Sequence, residues 1–354
     1  MTRRAAIALF LAAVLSLLSA FFGRAQSTVA VGAASAKSAQ THGIAGRPQL
    51  APGIVLRYQF EVRSIHEGNV SGAIEDPQGG DRLSVRFAAV FKLEALDAAA
   101  SFNSPPSSLR GRSAAPSQSV AVVRATIEQV VVLIGGDTFD PAIASLQERY
   151  QQLEGFSAVF STAEASPPAQ QERRDATLGD PQIGAVAKSW LRTLVFGISA
   201  PPGATSGKSW SNQQPIPAAP LDNTILRTKS TYLRDEPCGG KGQRAAVKAP
   251  SLAQQPCAVI LASTTISQSG SPADRTPDHY RARDLRTAGR WEGAIESLAY
   301  ISRRTGWIVS VTETQSEQMD FTVSRATDNE PVLRHRGRIE TQTNLLLQSV
   351  EARN

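Results

Sequence analysis

The sequence predicts an α+β fold that is mostly β: a curved antiparallel sheet, half-barrel or barrel-like, with about two helices packed on it. Long segments in which apolar and polar residues alternate recur along the chain, and only two segments show a helical spacing of apolar residues. Consecutive segments are joined by hairpin-like connections, which are typical of antiparallel sheets. A sheet this long has to shelter an apolar face and two edges, so we expect it to curl.

The clearest hairpin joins a run at residues 291–301 to a run that begins at Trp307, through a turn that ends at Gly306. In the second run the odd positions are apolar at both ends, and the even positions after Ile308 are polar. The apolar positions are interrupted from Glu313 to Glu317. Two alternatives remain open: one long strand that crosses a polar zone, or a second turn inside the interruption.

Other elements follow from the same patterns. Asp140 and Pro141 supply an N-cap and a first-turn proline for a helix that ends before Gly155, and a broad apolar stripe predicts a second helix over 181–196. Alternating segments predict strands at 54–65, 82–96, 120–133, 156–162, 223–234, 257–268 and 337–350. With the two runs of the hairpin, about nine strands are expected.

The first residues have the pattern of an export signal. Arg3 and Arg4 precede an uncharged apolar run at 5–22, and Gly23 and Ala25 provide small residues for cleavage. We therefore predict a signal peptide over 1–25, with a retained membrane anchor as the alternative. No cysteine lies near the cleavage site, so no lipobox is present, and the protein is expected to be secreted or periplasmic with membrane contact only through the signal segment.

The rest of the chain is interpreted as one domain. Residues 26–49 lack aromatic side chains and any sustained period, which predicts a flexible leader. A single β-rich domain is expected over 50–354. Segments rich in serine, proline, glycine and charged residues predict disordered insertions near 101–119, 163–180 and 239–256.

Cys238 and Cys257 are the two cysteines of the chain, and they bracket the third insertion. Cys238 follows one predicted strand and Cys257 opens the next. If these strands pair antiparallel, the two side chains meet, and an oxidising compartment would preserve a disulfide bond between them. Two free thiols are the alternative.

Charge argues against nucleic acid as a partner. The formal net charge of +6 includes Arg3, Arg4 and Arg24, and without these three it falls to +3. The remaining basic residues are spread along the chain, whereas a phosphate-tracking surface needs a concentrated stripe.

Common catalytic and cofactor motifs are missing from the sequence. Ser206-Gly207-Lys208-Ser209 lacks the earlier glycine of a phosphate loop, because Pro202 stands at that position, and it is interpreted as a turn that presents Trp210. Ser269-Gly270-Ser271 is a polar loop without the elbow motif of a serine hydrolase. The histidines lie far apart, so no metal site or cofactor is predicted, and His66 and His335 are interpreted as solvated; the four positions are His42, His66, His279 and His335.

Two carboxylate pairs remain, Glu292 with Glu296 and Glu313 with Glu317. Residues four apart on a strand are separated by about 13 Å, which exceeds the usual spacing of a glycosidase pair. Both pairs are interpreted as outward, solubilising charge, and no catalytic residue is assigned.

Aromatic side chains provide the remaining candidates for a binding site. The four tryptophans would suit the lining of a sugar or lipid site, but core anchoring is the favoured interpretation because large aromatic residues are usually buried. These candidates are Trp190, Trp210, Trp291 and Trp307.

Two short motifs carry a resemblance. Gly207-Lys208-Ser209-Trp210 precedes a predicted strand, and Thr305-Gly306-Trp307 stands at the late hairpin turn. In this the chain resembles uncharacterised secreted bacterial β-rich proteins with G-x-S-W and T-G-W steps, and more distantly the half-barrels of periplasmic lipoprotein carriers. The resemblance implies a fold over residues 50–350 and brings no catalytic residues with it.

Together these patterns predict an exported, non-catalytic protein that binds an apolar ligand such as a lipid, or a partner protein of the cell envelope. One alternative is a hydrolase that acts on a cell-wall or polysaccharide substrate. The other is a structural interaction module.

Overall fold

In a computed structural model, the described part of the chain forms one curved antiparallel sheet of eleven strands. The model describes residues 48–72, 81–96, 122–137, 141–161, 172–174, 181–196, 200–201, 203–216, 221–239, 250–268 and 276–352. The strands are β1 Ile54–Gly72, β2 Asp81–Leu96, β3 Val122–Gly136, β4 Ser157–Ser161, β5 Glu172–Arg174, β6 Ser209–Pro215, β7 Thr224–Pro237, β8 Pro256–Gln268, β9 Leu285–Ser302, β10 Ile308–Arg325 and β11 Pro331–Ala352. The predicted fold class is confirmed.

The sheet is open, with β5 and β6 at its two edges. Its strand order is β5-β4-β3-β2-β1-β11-β10-β9-β8-β7-β6, so the first and last parts of the chain meet where β1 pairs with β11. Nine of the strands lie close to their predicted positions. The other two, β5 and β6, were not predicted, because β5 has three residues and β6 is a polar segment between prolines.

Within the described ranges four helices accompany the sheet: α1 Pro141–Gln151, α2 Pro181–Phe196, α3 Pro250–Ala253 and α4 Asp278–Arg281. The two long helices confirm the two that were predicted. Helix α2 packs on the sheet through Trp190, whose ring centroid lies 5.3 Å from that of Phe60 and 5.1 Å from that of Phe87. Helix α1 is tied to β3 where the Gln151 amide donates to the Val130 carbonyl at 2.6 Å.

The two faces of the sheet differ because side chains alternate along each strand. We call the face that carries Phe60 and Phe87 the inner face; its residues form most of the buried core. The outer face carries charged residues in cross-strand pairs. Asp320 of β10, for example, lies 3.0 Å from Arg336 of β11. Because these charged side chains are exposed, the outer face is a solvated surface, and ion pairs of this kind add little stability.

The late hairpin between β9 and β10 is confirmed. Gly306 adopts a left-handed conformation with φ of +70° and donates its backbone N–H to the Ser302 carbonyl at 2.8 Å. The following strand β10 is continuous over 18 residues. One long strand therefore crosses the polar zone, and the alternative of a second turn is excluded.

Cys238 and Cys257 form the predicted disulfide bond, with Cα atoms 5.0 Å apart. The bond lies where β7 ends and β8 begins, next to the pairing of Pro237 with Pro256. The Cys238 N–H also donates to the Gln255 carbonyl at 2.9 Å, so the chain returns to the sheet at a defined place.

Replacing both Cys238 and Cys257 with alanine should lower the free energy of unfolding by about 3 kcal/mol, because the bond closes a loop with a sequence separation of 19 in the unfolded chain. Urea unfolding of the oxidised protein and of the double variant measures the difference. Unreduced tryptic peptides should contain the linked pair. Equal unfolding midpoints, with both thiols open to alkylation in unreduced protein, would contradict the prediction.

Several predicted segments lie outside the described residues. These are the signal peptide at 1–25, the leader through residue 47 and the insertion at 101–119. Within the other two predicted insertions the structure describes β5 and α3. Among the helices of the described ranges, none has both the length and the apolar character needed to cross a membrane.

Candidate functional site

The inner face becomes polar in the middle of strand β10. Along this strand Val311 and Met319 point inward, and so must every second residue between them. Three of these inward positions carry Glu313, Gln315 and Glu317, with exposed fractions of 5%, 3% and 1%. The interpretation of Glu313 and Glu317 as outward charge is therefore wrong.

Glu292 and Glu296 on the neighbouring strand β9 differ from that pair. Both side chains are exposed, as predicted, because they alternate with the inward residues Trp291 and Ile295. They serve below as matched controls.

Neighbouring strands extend the polar zone across the sheet. Glu313 pairs with Thr343 of β11 on one side and with Ser297 of β9 on the other. Gln315 pairs with Thr341, which in turn pairs with Ser64 of β1. We call this set the polar band; its buried members are Ser64, Ser297, Glu313, Gln315, Glu317, Thr341 and Thr343.

Hydrogen bonds hold Glu317 in a defined orientation. The Trp291 indole Nε1–H donates to Glu317 Oε2 at 2.7 Å, and the Gln315 amide donates to Glu317 Oε1. Gly293 stands opposite Glu317 and leaves room for it, because a Cβ at Gly293 would lie 2.9 Å from Glu317 Cγ. Farther along the band, the hydroxyls of Ser64 and Thr341 lie 2.9 Å apart.

Other polar atoms of the band have no hydrogen-bond partner among the described residues. They are Gln315 Oε1, Ser297 Oγ and Thr343 Oγ1. A buried polar atom without a partner typically costs about 1–3 kcal/mol, so three together in one place are unusual in a core that serves stability alone.

Burial keeps both carboxyl groups of the band protonated at neutral pH. It raises the pKa of Glu313 to about 8. It also raises the pKa of Glu317 to about 8, even though the hydrogen bond from Trp291 acts in the opposite direction. The band is therefore uncharged at pH 7 and can both donate and accept hydrogen bonds.

His66 and His335 lie beside the band on the inner face, with 9% and 4% of their surface exposed, so their interpretation as solvated residues is wrong. Their rings stack with centroids 5.4 Å apart, and the Phe321 ring lies 5.3 Å from His335. Gly337 makes this stack possible, because a Cβ there would lie 2.7 Å from His66 Nε2. The pKa of each imidazole is lowered to about 4, mainly by burial, and the charge of the neighbouring His335 contributes to the shift at His66.

Apolar clusters flank the polar band on both sides. On one side lies the main core, which includes Val311 and Leu345. On the other side lies a separate apolar cluster, which we call the second cluster. Its buried members are Leu221, Leu226, Ile266, Tyr280, Trp291, Ile295, Met319, Phe321, Val323 and Ile339.

The four tryptophans do not come together in one site. Trp190 is in the main core under α2, Trp307 donates its indole N–H to the Gln49 carbonyl at 2.8 Å, and Trp210 is half-buried beside a third cluster. Trp291 is the one that contacts the polar band.

The segment Ser206-Gly207-Lys208-Ser209 forms a turn just before β6, in which Gly207 has a φ of +84°. This agrees with its interpretation as a turn.

Within the described ranges no group of three or more His, Cys, Asp or Glu side chains is arranged to hold a metal ion. The two band carboxyls are four positions apart on one strand, which separates their Cα atoms by about 13 Å. A pair this far apart does not suit glycoside hydrolysis.

Comparison with known proteins identifies no family. No family model and no curated protein matches the chain. One solved structure with some likeness is a lipovitellin titled for its lipid–protein interactions, with a TM-score of 0.41 and 13% identity over 86% of this chain and 26% of that one. The chain thus spans about a quarter of that protein.

Two further solved structures have lower scores. DynF from the dynemicin biosynthesis pathway of Micromonospora chersina has a TM-score of 0.16 and 8% identity over 92% of both chains. An outer membrane channel from Pseudomonas putida F1 has a TM-score of 0.17 and 11% identity over 88% of this chain and 100% of that one. At these scores the likenesses support no argument about function, and the resemblance to secreted bacterial β-rich proteins and to lipoprotein carriers stays a prediction.

Most of the polar band was missed by sequence reasoning. Gln315, Thr341 and Thr343 look like ordinary strand polar residues, and Ser64 and Ser297 belong to adjacent strands far away in the chain. One signal was present: Glu313, Gln315 and Glu317 share the parity of Val311 and Met319, which places them on the apolar face.

Proposed function

We propose that this is an exported, non-catalytic binding protein for an apolar ligand, which lies on the inner face of the sheet with its polar group at the polar band. The observation that carries the proposal is the set of buried polar atoms without partners in the described structure, Gln315 Oε1, Ser297 Oγ and Thr343 Oγ1. A ligand with one polar group and an apolar remainder would satisfy these atoms and lie against the flanking clusters.

A purely structural role explains this arrangement less well. Apolar side chains at the same positions would join the main core and the second cluster into one and remove the cost of the unpartnered atoms. The polar band therefore reduces stability, and a cost of this kind is common at sites that bind a ligand.

Hydrolysis is also less well supported. The pair Glu292 and Glu296 lies on the outer face and is open to solvent, and the buried pair is too widely spaced. Export is supported by the disulfide bond between Cys238 and Cys257, since such bonds persist in oxidising compartments.

The proposal predicts that the purified protein takes up the neutral apolar dye N-phenyl-1-naphthylamine with saturable enhancement of its fluorescence. Native mass spectrometry of unstripped protein should show a copurified small molecule. Thr343→Phe should reduce dye uptake at least about fivefold, because the new ring fills the band next to Glu313.

Gln342→Phe is the matched control, since Gln342 is the adjacent residue on β11 and is exposed on the outer face. Circular dichroism confirms that each variant is folded. Wild-type protein that is folded, stripped of ligand and still takes up no dye would overturn the proposal, as would equal effects of the two phenylalanines.

A further inference from the structure

The charges of the buried residues indicate which ligand the band would accept. Among the described residues, the buried ionisable side chains include the carboxyls of Glu94, Glu313 and Glu317 and no lysine or arginine. Glu94 has Lys92 3.5 Å away. In the described structure the two band glutamates have no such base.

We propose that the polar group received by the band is a cation: the ligand is an amphipathic amine whose ammonium group pairs with Glu317 and whose apolar part lies on the second cluster. This inference rests on the proposed function and specifies its ligand. Three features of the site support it independently of the count of charges.

The first feature is that hydrogen bonds orient the Glu317 carboxyl group to accept a charged donor. Both of its oxygens already receive hydrogen bonds, from Trp291 Nε1 and from the Gln315 amide, and bonds of this kind favour the ionised carboxylate. They also fix the direction of the carboxyl group, as a site for a charged partner requires.

The second feature is Gln315 Oε1. This oxygen is buried, has no partner within the described residues and belongs to the same amide that holds Glu317. An ammonium group has several N–H donors, so it can bind the Glu317 carboxylate and Gln315 Oε1 together. A hydroxyl group, with a single donor, cannot satisfy both.

The third feature is the aromatic content of the second cluster. Trp291, Phe321 and Tyr280 all belong to it, and Trp291 is the residue that touches Glu317. Aromatic rings next to a carboxylate are a common environment for organic ammonium groups, because the ring faces attract the cation.

Among the described residues, those that neighbour Glu317 on the adjacent strands carry no competing charge. Strand β9 brings Gly293 and Trp291 next to it, and β11 brings Ile339, none of which is ionisable. Other titratable groups on the inner face near it are Glu313, farther along β10, Tyr280 of the second cluster, whose pKa burial raises, and the imidazoles of His66 and His335, which burial keeps neutral above about pH 4. In the free protein a proton neutralises Glu317, and on binding the ammonium group takes its place while the proton leaves to solvent.

The test uses three probes with the same chain of twelve carbons: dodecylammonium, 1-dodecanol and dodecanoate. Each competes with the naphthylamine dye, and calorimetry measures proton release. At pH 8 dodecylammonium should bind at least about tenfold more tightly than 1-dodecanol. Its affinity should increase by about tenfold from pH 6 to 7 and less steeply from pH 7 to 8, since one proton is displaced from Glu317, whereas that of 1-dodecanol should not change.

Glu317→Gln should remove both the preference for the cation and its pH dependence, so that dodecylammonium and 1-dodecanol compete with the dye equally at pH 6 and at pH 8. Glu292→Gln, on the exposed outer face of β9, should leave both unchanged. If the three probes bind with equal affinity, or dodecanoate binds best, the cation inference is wrong and the proposed function stands. If neither the dye nor any probe binds to folded protein, the proposed function itself is wrong.

Discussion

Replacing Glu313 and Glu317 with glutamine should abolish most of the loss of stability that the wild-type protein shows when the pH rises from 6.5 to 8. Both carboxyls have a pKa of about 8 in the folded protein, against an ordinary value of 4.5. The folded state thus holds two protons that the unfolded chain releases at a much lower pH. Stability contributed by these protons is complete below pH 4.5, falls as the pH rises through 8 and is constant above that.

The two buried histidines act in the opposite direction. The pKa of His66 and of His335 is lowered from 6.5 to about 4 by burial, so the unfolded chain binds protons that the folded protein does not. Their effect destabilises the fold as the pH falls from 6.5 to 4. Between pH 4.5 and 6.5 the two effects oppose each other, and stability should be nearly flat.

From pH 6.5 to 8 the opposition from the histidines fades, and the wild-type protein should lose about 2–3 kcal/mol of unfolding free energy. Urea unfolding at half-unit steps from pH 5.5 to 8.5 measures this loss. The double glutamine variant should be nearly flat over the same range, because an amide is similar in size to a protonated carboxyl and does not titrate.

The matched control replaces Glu292 and Glu296 with glutamine. Both are exposed on the outer face, so the wild-type pH profile should be retained. A wild-type profile that is already flat from pH 6.5 to 8 would show that the band carboxyls are ionised in the folded protein, and the account of the polar band would then be wrong.

Val309→Asp should destabilise the protein by about 4 kcal/mol or more, since it places an unpaired carboxylate in the main core. Val309 is fully buried, with an exposed fraction of 0%. It lies at an irregularity in the pairing of β10 with β9, where the register shifts between Ile308 and Ser310. A bulge there explains why Ile308 and Val309 are both buried although they are consecutive.

Ser310→Asp and Thr312→Asp are the controls for this prediction. Ser310 is half-buried and Thr312 is exposed, and both point away from the core. The change at Thr312 should alter the free energy of unfolding by less than about 1 kcal/mol, with a similarly mild effect at Ser310. Thermal unfolding followed by circular dichroism compares the three variants. Equal losses at Val309 and Thr312 would show that the inner and outer faces of β10 are assigned the wrong way round.

Local patterns were sufficient for most of the secondary structure. The alternation of residues in β1, β2 and β10, the proline that opens α1, the glycine after its end and the apolar stripe of α2 act over a few residues, so the sequence shows them directly. The predicted N-cap, Asp140, lies outside the described residues. The disulfide was also predictable, because its two cysteines end one strand and begin the next. The strands that were missed, β5 and β6, are short or polar and pair only because longer strands lie beside them.

The sequence by itself therefore determined a long antiparallel sheet with two helices, the polar and apolar faces at the start of β10, and the pairing of Cys238 with Cys257. Only the tertiary structure decided that the interrupted stretch of β10 is one strand, that Glu313, Gln315 and Glu317 are buried, and that His66 meets His335. The physical reason is that burial depends on neighbours supplied by distant segments. The parity of Glu313, Gln315 and Glu317 with Val311 shows which face of β10 they occupy. Whether that face is buried at their positions depends on β1, β9 and β11, which the local sequence of β10 does not record.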